Sequence, residues 1–158
     1  MNSLDCKTLY FPIPPPCNGI NRADCHVELC NHATRIREAT HLIQLGARAG
    51  LVCQLTHLEK ATVNRLYREL RGNPSPQGQM PFTDTWYREN DLRMLQVTLV
   101  WRLHRQLIQT KRSAAHILIN IFETYARLVH EPLMDLTRTA FVPRLVAMET
   151  WHEQSCKF

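Results

Sequence analysis

The chain has 158 residues, a net charge of +5 and 44% hydrophobic residues, enough for one globular domain with a real core. No run is long enough to span a bilayer, and no basic segment followed by an apolar run opens the chain as a signal peptide would, so neither a membrane span nor a signal peptide is expected. A cytoplasmic, reducing setting follows, in which six cysteines are thiols or metal ligands rather than disulfides.

Residues 1–32 carry four of the cysteines and four prolines, with PIPPP at 12–16. They show neither a helical nor a strand period. Cys17, Cys25, His26, Cys30 and His32 are all capable of binding metal. The gap from Cys25 to Cys30 is not that of a C-x2-C knuckle, so the segment reads as an irregular or disordered extension with unpaired thiols. The second part, 33–158, is helical by pattern.

Thr34 is the expected N-cap of the first helix. Ile36, Ala39, Leu42, Ile43, Ala47 and Leu51 make its apolar stripe. Gly46 and Gly50 either allow close helix approach or mark a break.

Residues 51–72, LVCQLTHLEKATVNRLYRELRG, read as a helix-turn-helix. The first helix ends near Leu55, Thr56-His57 make a tight turn, and a second helix runs from about Leu58 to Leu70. Cys53 is small where the helices approach, and Leu58 closes the turn. Val63, Leu66 and Leu70 form the inward stripe. Lys60, Thr62, Asn64, Arg65 and Arg68 occupy the other face. Between Ala33 and Gly72 there are seven basic and three acidic residues, which is most of the net charge. A cationic face on the second helix of such a pair suits a DNA major groove. Lys60, Thr62, Asn64 and Arg65 lie on its leading part, where base edges are reachable. Arg48, Arg68 and Arg71 are the expected phosphate contacts, which fix register and give salt dependence.

RGNPSPQGQMPF (71–82) is a loop, with Gly72 stopping the second helix. The next helix starts between Thr85 and Asn90 and runs to about Gln109, with Leu92, Leu95, Leu99, Leu103 and Leu107 as the buried stripe and Val100 and Trp101 widening it. Ser113 caps a helix whose face is Ile117, Leu118, Ile121, Phe122, Tyr125 and Leu128. Glu131-Pro132 reads as the start of a last helix, interrupted by Pro143. Trp101 is a core residue, while Trp86 and Trp151 are candidate partner contacts. The broad stripes after residue 85 suit packing on a partner. No nucleophile elbow, Walker loop or H-E-x-x-H is present, and the chain reads as a non-enzyme.

Three segments carry a family likeness: HLIQLGARAGLVCQLT (41–56), RLYRELRGNPSPQGQMPF (65–82) with Trp86 shortly after, and PLMDLTRTAFVPRLV (132–146). With them the chain resembles the flagellar transcriptional activator FlhC family over about residues 34–156. The resemblance implies a mostly helical transcriptional activator subunit of flagellar gene regulation. It implies promoter DNA and a small helical FlhD-type subunit as partners, in a heterohexamer. It also implies a four-cysteine zinc site toward the C-terminus. Only its opening matches here, at Ser155-Cys156. Cys156 alone cannot make a closed tetrahedral site, so zinc is not expected on this chain. The expected architecture is an all-α domain containing a helix-turn-helix. The alternative to a DNA-binding activator is a shortened protein that binds the partner but neither binds DNA nor activates.

Overall fold

Leu42 and Ile43, one turn beyond Ala39, give the first helix its buried edge, and all three are fully enclosed. The computed structural model describes residues 26–76, 78 and 83–148. The chain divides into two units, Met1–Ala33 and Thr34–Phe158. Helix α1 spans Val27–Gln44, so residues 27–32 are helical where an irregular extension was expected. Thr34 lies inside the helix and is not its N-cap. No Gly or Pro stands between Val27 and Thr34, so nothing stops the helix from propagating backward from its buried stripe. The rest of the extension, with Cys17 and Cys25, lies outside the described residues.

α1 ends in a Schellman motif. Gly46 adopts φ +90; its N–H donates to the Ile43 carbonyl at 3.0 Å, and the Ala47 N–H donates to the Leu42 carbonyl at 2.9 Å. Gly46 therefore marks a break. Gly50 is exposed on α2, and a Cβ there would meet nothing within 4 Å, so it permits no close approach.

α2 (Ala49–Thr56) and α3 (Lys60–Arg71) follow. Then come the single turn α4 (Thr85–Arg88), α5 (Asp91–Leu107) with a 3-10 turn at Ile108–Thr110, α6 (Ala114–Leu128) and α7 (Leu136–Ala147). No strand occurs among the described residues; the fold is all-α. Ser113 caps α6 as expected, accepting from the His116 N–H at 3.0 Å. Two further caps are Asn90 on α5 and Asp135 on α7.

Two core clusters form. The first joins α1, α2 and α3 to the start of α6 and Leu136; the second joins α4, α5, the latter half of α6 and α7. Side-chain bonds from α1 to α6 support the first: His41 Nε2 meets Glu123 Oε1 at 2.8 Å, and the Ser113 hydroxyl bonds the Glu38 carboxylate. Across the second, the Trp86 indole lies between the guanidinium groups of Arg93 and Arg138, at 4.2 and 4.3 Å from the ring centroid.

Several expectations fail here. Leu92 and Leu95 are exposed, at 51% and 66%. The inward edge of α5 is instead Gln96, Val97 and Val100, with Leu99, Trp101, Leu103 and Leu107 partly buried beside it. Gln96 can be buried because its amide is satisfied: Nε2 donates to the Glu131 carbonyl, while Oε1 accepts from the Tyr125 hydroxyl and the Leu133 N–H. Leu128 is exposed at the end of α6. Glu131-Pro132 does not start a helix; the Asp135 cap delays α7 to Leu136, and the linker before it is held by the Tyr125 hydroxyl, which accepts from Leu133 and Met134 N–H groups. Pro143 stays inside α7, where it removes the N–H that would reach the Thr139 carbonyl. Trp151 lies outside the described residues.

Candidate nucleic-acid interface

The turn between α2 and α3 is built from three residues. Thr56 is buried and its hydroxyl donates back to the Val52 carbonyl at 2.7 Å. His57 takes the left-handed conformation, φ 55, and its N–H donates to the Cys53 carbonyl at 3.0 Å. Leu58 is buried, 7% exposed, and pins the chain before α3 begins. Cys53 is partly buried against the same core, and burial raises its thiol above the usual range.

α3 then presents two faces. Val63 and Tyr67 are buried and Leu66 packs partly beside them. Each such fully buried side chain stabilises by about 1.5–3 kcal/mol, so this face fixes the rotation of the helix. Leu70, expected on the inward stripe, is 39% exposed. Tyr67, four residues after Val63, is buried in its place; Leu70 keeps the helical phase of Val63 but lies in the last turn of α3, beyond the core that encloses Val63 and Tyr67. Burial raises the Tyr67 hydroxyl's pKa, opposed by a hydrogen bond with Ser75 and by the charges of Arg71 and Arg48.

The outward face carries Lys60, Arg65 and Arg68, all exposed, with Asn64 half-buried between them. Thr62 is half-buried on the other flank, one turn before Arg65. Lys60, Asn64 and Arg68, four residues apart, thus follow one line along the helix, with Arg65 and then Thr62 on the side away from it. Arg65 Nε donates to Glu69 Oε1 at 2.7 Å, in a solvated pair that is cheap to open.

The remaining two arginines have structural partners. Arg71 donates from Nη2 to the carbonyls of Ile43 and Gln44 at 2.9 and 2.8 Å, and from Nε to Ile43. It reaches the last carbonyls of α1, of which that of Ile43 also accepts from the Gly46 N–H. Arg48 is half-buried, and a Cβ at Gly78 would come within 2.9 Å of its Nη1. Gly78 itself has φ +137. The loop after α3 therefore folds back onto the start of α2. Ser75 Oγ accepts from the Ala49 N–H at 2.9 Å, an orphan donor of the α2 N-terminus. Gly72, φ 69, ends α3 with its N–H on the Arg68 carbonyl at 2.9 Å.

Tyr67, Ser75 and Gly78 escape a reading from periodicity alone. The only sequence signal is the unusual Ser and Gly spacing of the 71–82 loop, which the structure explains as the clamp on α2 and Arg48.

Among the described residues no group of three or more His, Cys, Asp or Glu could hold a metal ion. Cys30 sits on α1, and Cys156 lies outside the described residues. The described residues therefore do not fit a zinc centre. No described helix is long and apolar enough to cross a membrane.

Comparisons with known proteins give the family. The family model for the flagellar transcriptional activator FlhC matches residues 26–158. The chain is 28% identical over 124 residues to the flagellar transcriptional regulator FlhC of Proteus mirabilis, covering 75% of this chain and 64% of that protein. It is 29% identical over 133 residues to the Pectobacterium carotovorum protein of the same name, covering 81% and 68%. Over 59 residues it is 39% identical to the Serratia marcescens relative, which is 37% of this chain and 30% of that one. The chain spans about two thirds of the length of the first two. With a match that covers all the described helices, the chain belongs to the FlhC family of flagellar transcriptional regulators.

Proposed function

We propose that this chain is a DNA-binding activator subunit that reads promoter DNA through α3. The observation that carries the reading is the solvent-facing group of Lys60, Asn64, Arg65 and Arg68 on a helix whose other face is locked by Val63 and Tyr67. Asn64 is suited to an adenine edge and Arg65 to a guanine, with Lys60 and Thr62 on either flank. Arg68 lies a turn further on and meets phosphate. Arg48 and Arg71, expected at phosphates, support the interface by fastening the loop and α1 behind it, and their charge adds to its field.

The subunit works in the cytoplasm with a small helical FlhD-type partner, in a hetero-oligomer as in the family. Exposed Leu92 and Leu95 on α5 favour a covering partner, since a contiguous apolar edge is costly in water. The second reading, a protein that binds the partner but not DNA, rests on that same edge. A gel shift of the co-purified complex on a flagellar promoter duplex separates them. Retardation that survives competition by a scrambled duplex supports the first reading; a stable complex that leaves the promoter unshifted supports the second.

A further inference from the structure

A cavity of about 410 Å³ opens between α2, α5, α6 and α7, away from the exposed face of α3. Its volume lies in the range of small-molecule sites. Leu55, Phe141 and neighbouring aliphatic side chains make its walls apolar. Its charged groups are few and of one sign. Arg112 and Arg144 line it and are both exposed to solvent, which puts them at the mouth. Gln54 and His104 also face it, and no carboxylate lines it.

His104 is held flat against Trp101, with ring centroids 5.4 Å apart and planes 14° from parallel. Its Nδ1 is buried and has no hydrogen-bond partner in the protein. Burial also keeps the ring neutral by lowering its pKa, so this wall carries no charge into the apolar interior.

We infer that this cavity binds a small amphiphile with a carboxylate head and an apolar body. The two guanidinium groups at the mouth take the carboxylate, as planar forks matched to its two oxygens. The apolar body fills the space between the four helices, and its burial supplies the driving force. A cation would meet two like charges at the entrance, and an uncharged chain would leave both forks unused. The inference stands apart from the DNA-reading proposal, because no residue of α3 lines the cavity.

Isothermal titration of the full chain with decanoate tests it. Saturable binding of one equivalent is expected, with decanol and decyltrimethylammonium at least roughly tenfold weaker. The double variant Arg112→Gln, Arg144→Gln changes only exposed side chains and should lose roughly tenfold or more in decanoate affinity. Leu95→Gln, on the apolar edge outside the cavity, should bind decanoate like the parent. Absence of saturable binding would overturn the inference. So would equal affinity for the cationic amphiphile, unchanged affinity in the double variant, or loss of binding in Leu95→Gln.

Discussion

Arg71 at the end of α3 donates to the carbonyl oxygen of Ile43 at the end of α1, 2.9 Å away. An arginine that patterning assigns to phosphate is thus a fastener between two helices. Arg71→Ala should lower folding stability by about 1–2 kcal/mol, read from a urea midpoint, because charged hydrogen bonds to carbonyls are lost. Arg68→Ala should leave that midpoint unchanged and instead reduce the salt dependence of DNA binding by about one phosphate contact. Equal urea midpoints for the two variants would refute this division of roles.

Tyr125 and Gln96 hold the linker before α7. Tyr125→Phe strips the hydroxyl from the Leu133 and Met134 N–H groups and from the buried Gln96 amide. The expected cost is about 1–3 kcal/mol, checked by chemical denaturation. Leu95→Gln, on an exposed position of the same helix, should cost less than about 0.5 kcal/mol.

Ser75→Ala should loosen the loop clamp. It removes the acceptor for the Ala49 N–H and the bond to Tyr67. A loss of about 1 kcal/mol is expected, of the size of a lost helix cap. Hydrogen exchange of the α2 N-terminus should accelerate in the same variant.

Stability should fall in mild acid through His104. Burial lowers its folded pKa below the ordinary 6.5. The unfolded chain therefore binds the proton first, so stability is fully present above about 6.5 and is lost as pH falls toward the lower folded value. His104→Phe should flatten that part of the pH profile of the urea midpoint. A profile with unchanged slope would place the acid sensitivity elsewhere.

Much of the fold was legible because apolar spacing and caps act locally. Ala39, Leu42 and Ile43 on α1, Val63 on α3 and the Ser113 cap all follow from period and side-chain chemistry. The failures share a cause: a long-range partner outweighs a local signal. Leu92 and Leu95 keep the spacing of a core stripe, yet Gln96 lies inward because Tyr125, Glu131 and Leu133 satisfy its amide. Pro132 looks like a helix start, but the Tyr125 hydroxyl captures the following N–H groups and Asp135 caps the helix instead. In the candidate site, the exposed cations of α3 were readable from helical phase. The roles of Arg48 and Arg71 were not, because carbonyls at the end of α1 and the fold-back of Gly78 are distant in sequence.

The most direct test of promoter reading by α3 is fluorescence anisotropy of the co-purified complex on a labelled flagellar promoter duplex, comparing the parent chain with Arg65→Ala. The account predicts roughly tenfold or greater loss on the promoter and little change on a scrambled duplex, since a base contact specifies and a phosphate contact does not. Equal loss on both duplexes, or none on either, would contradict it.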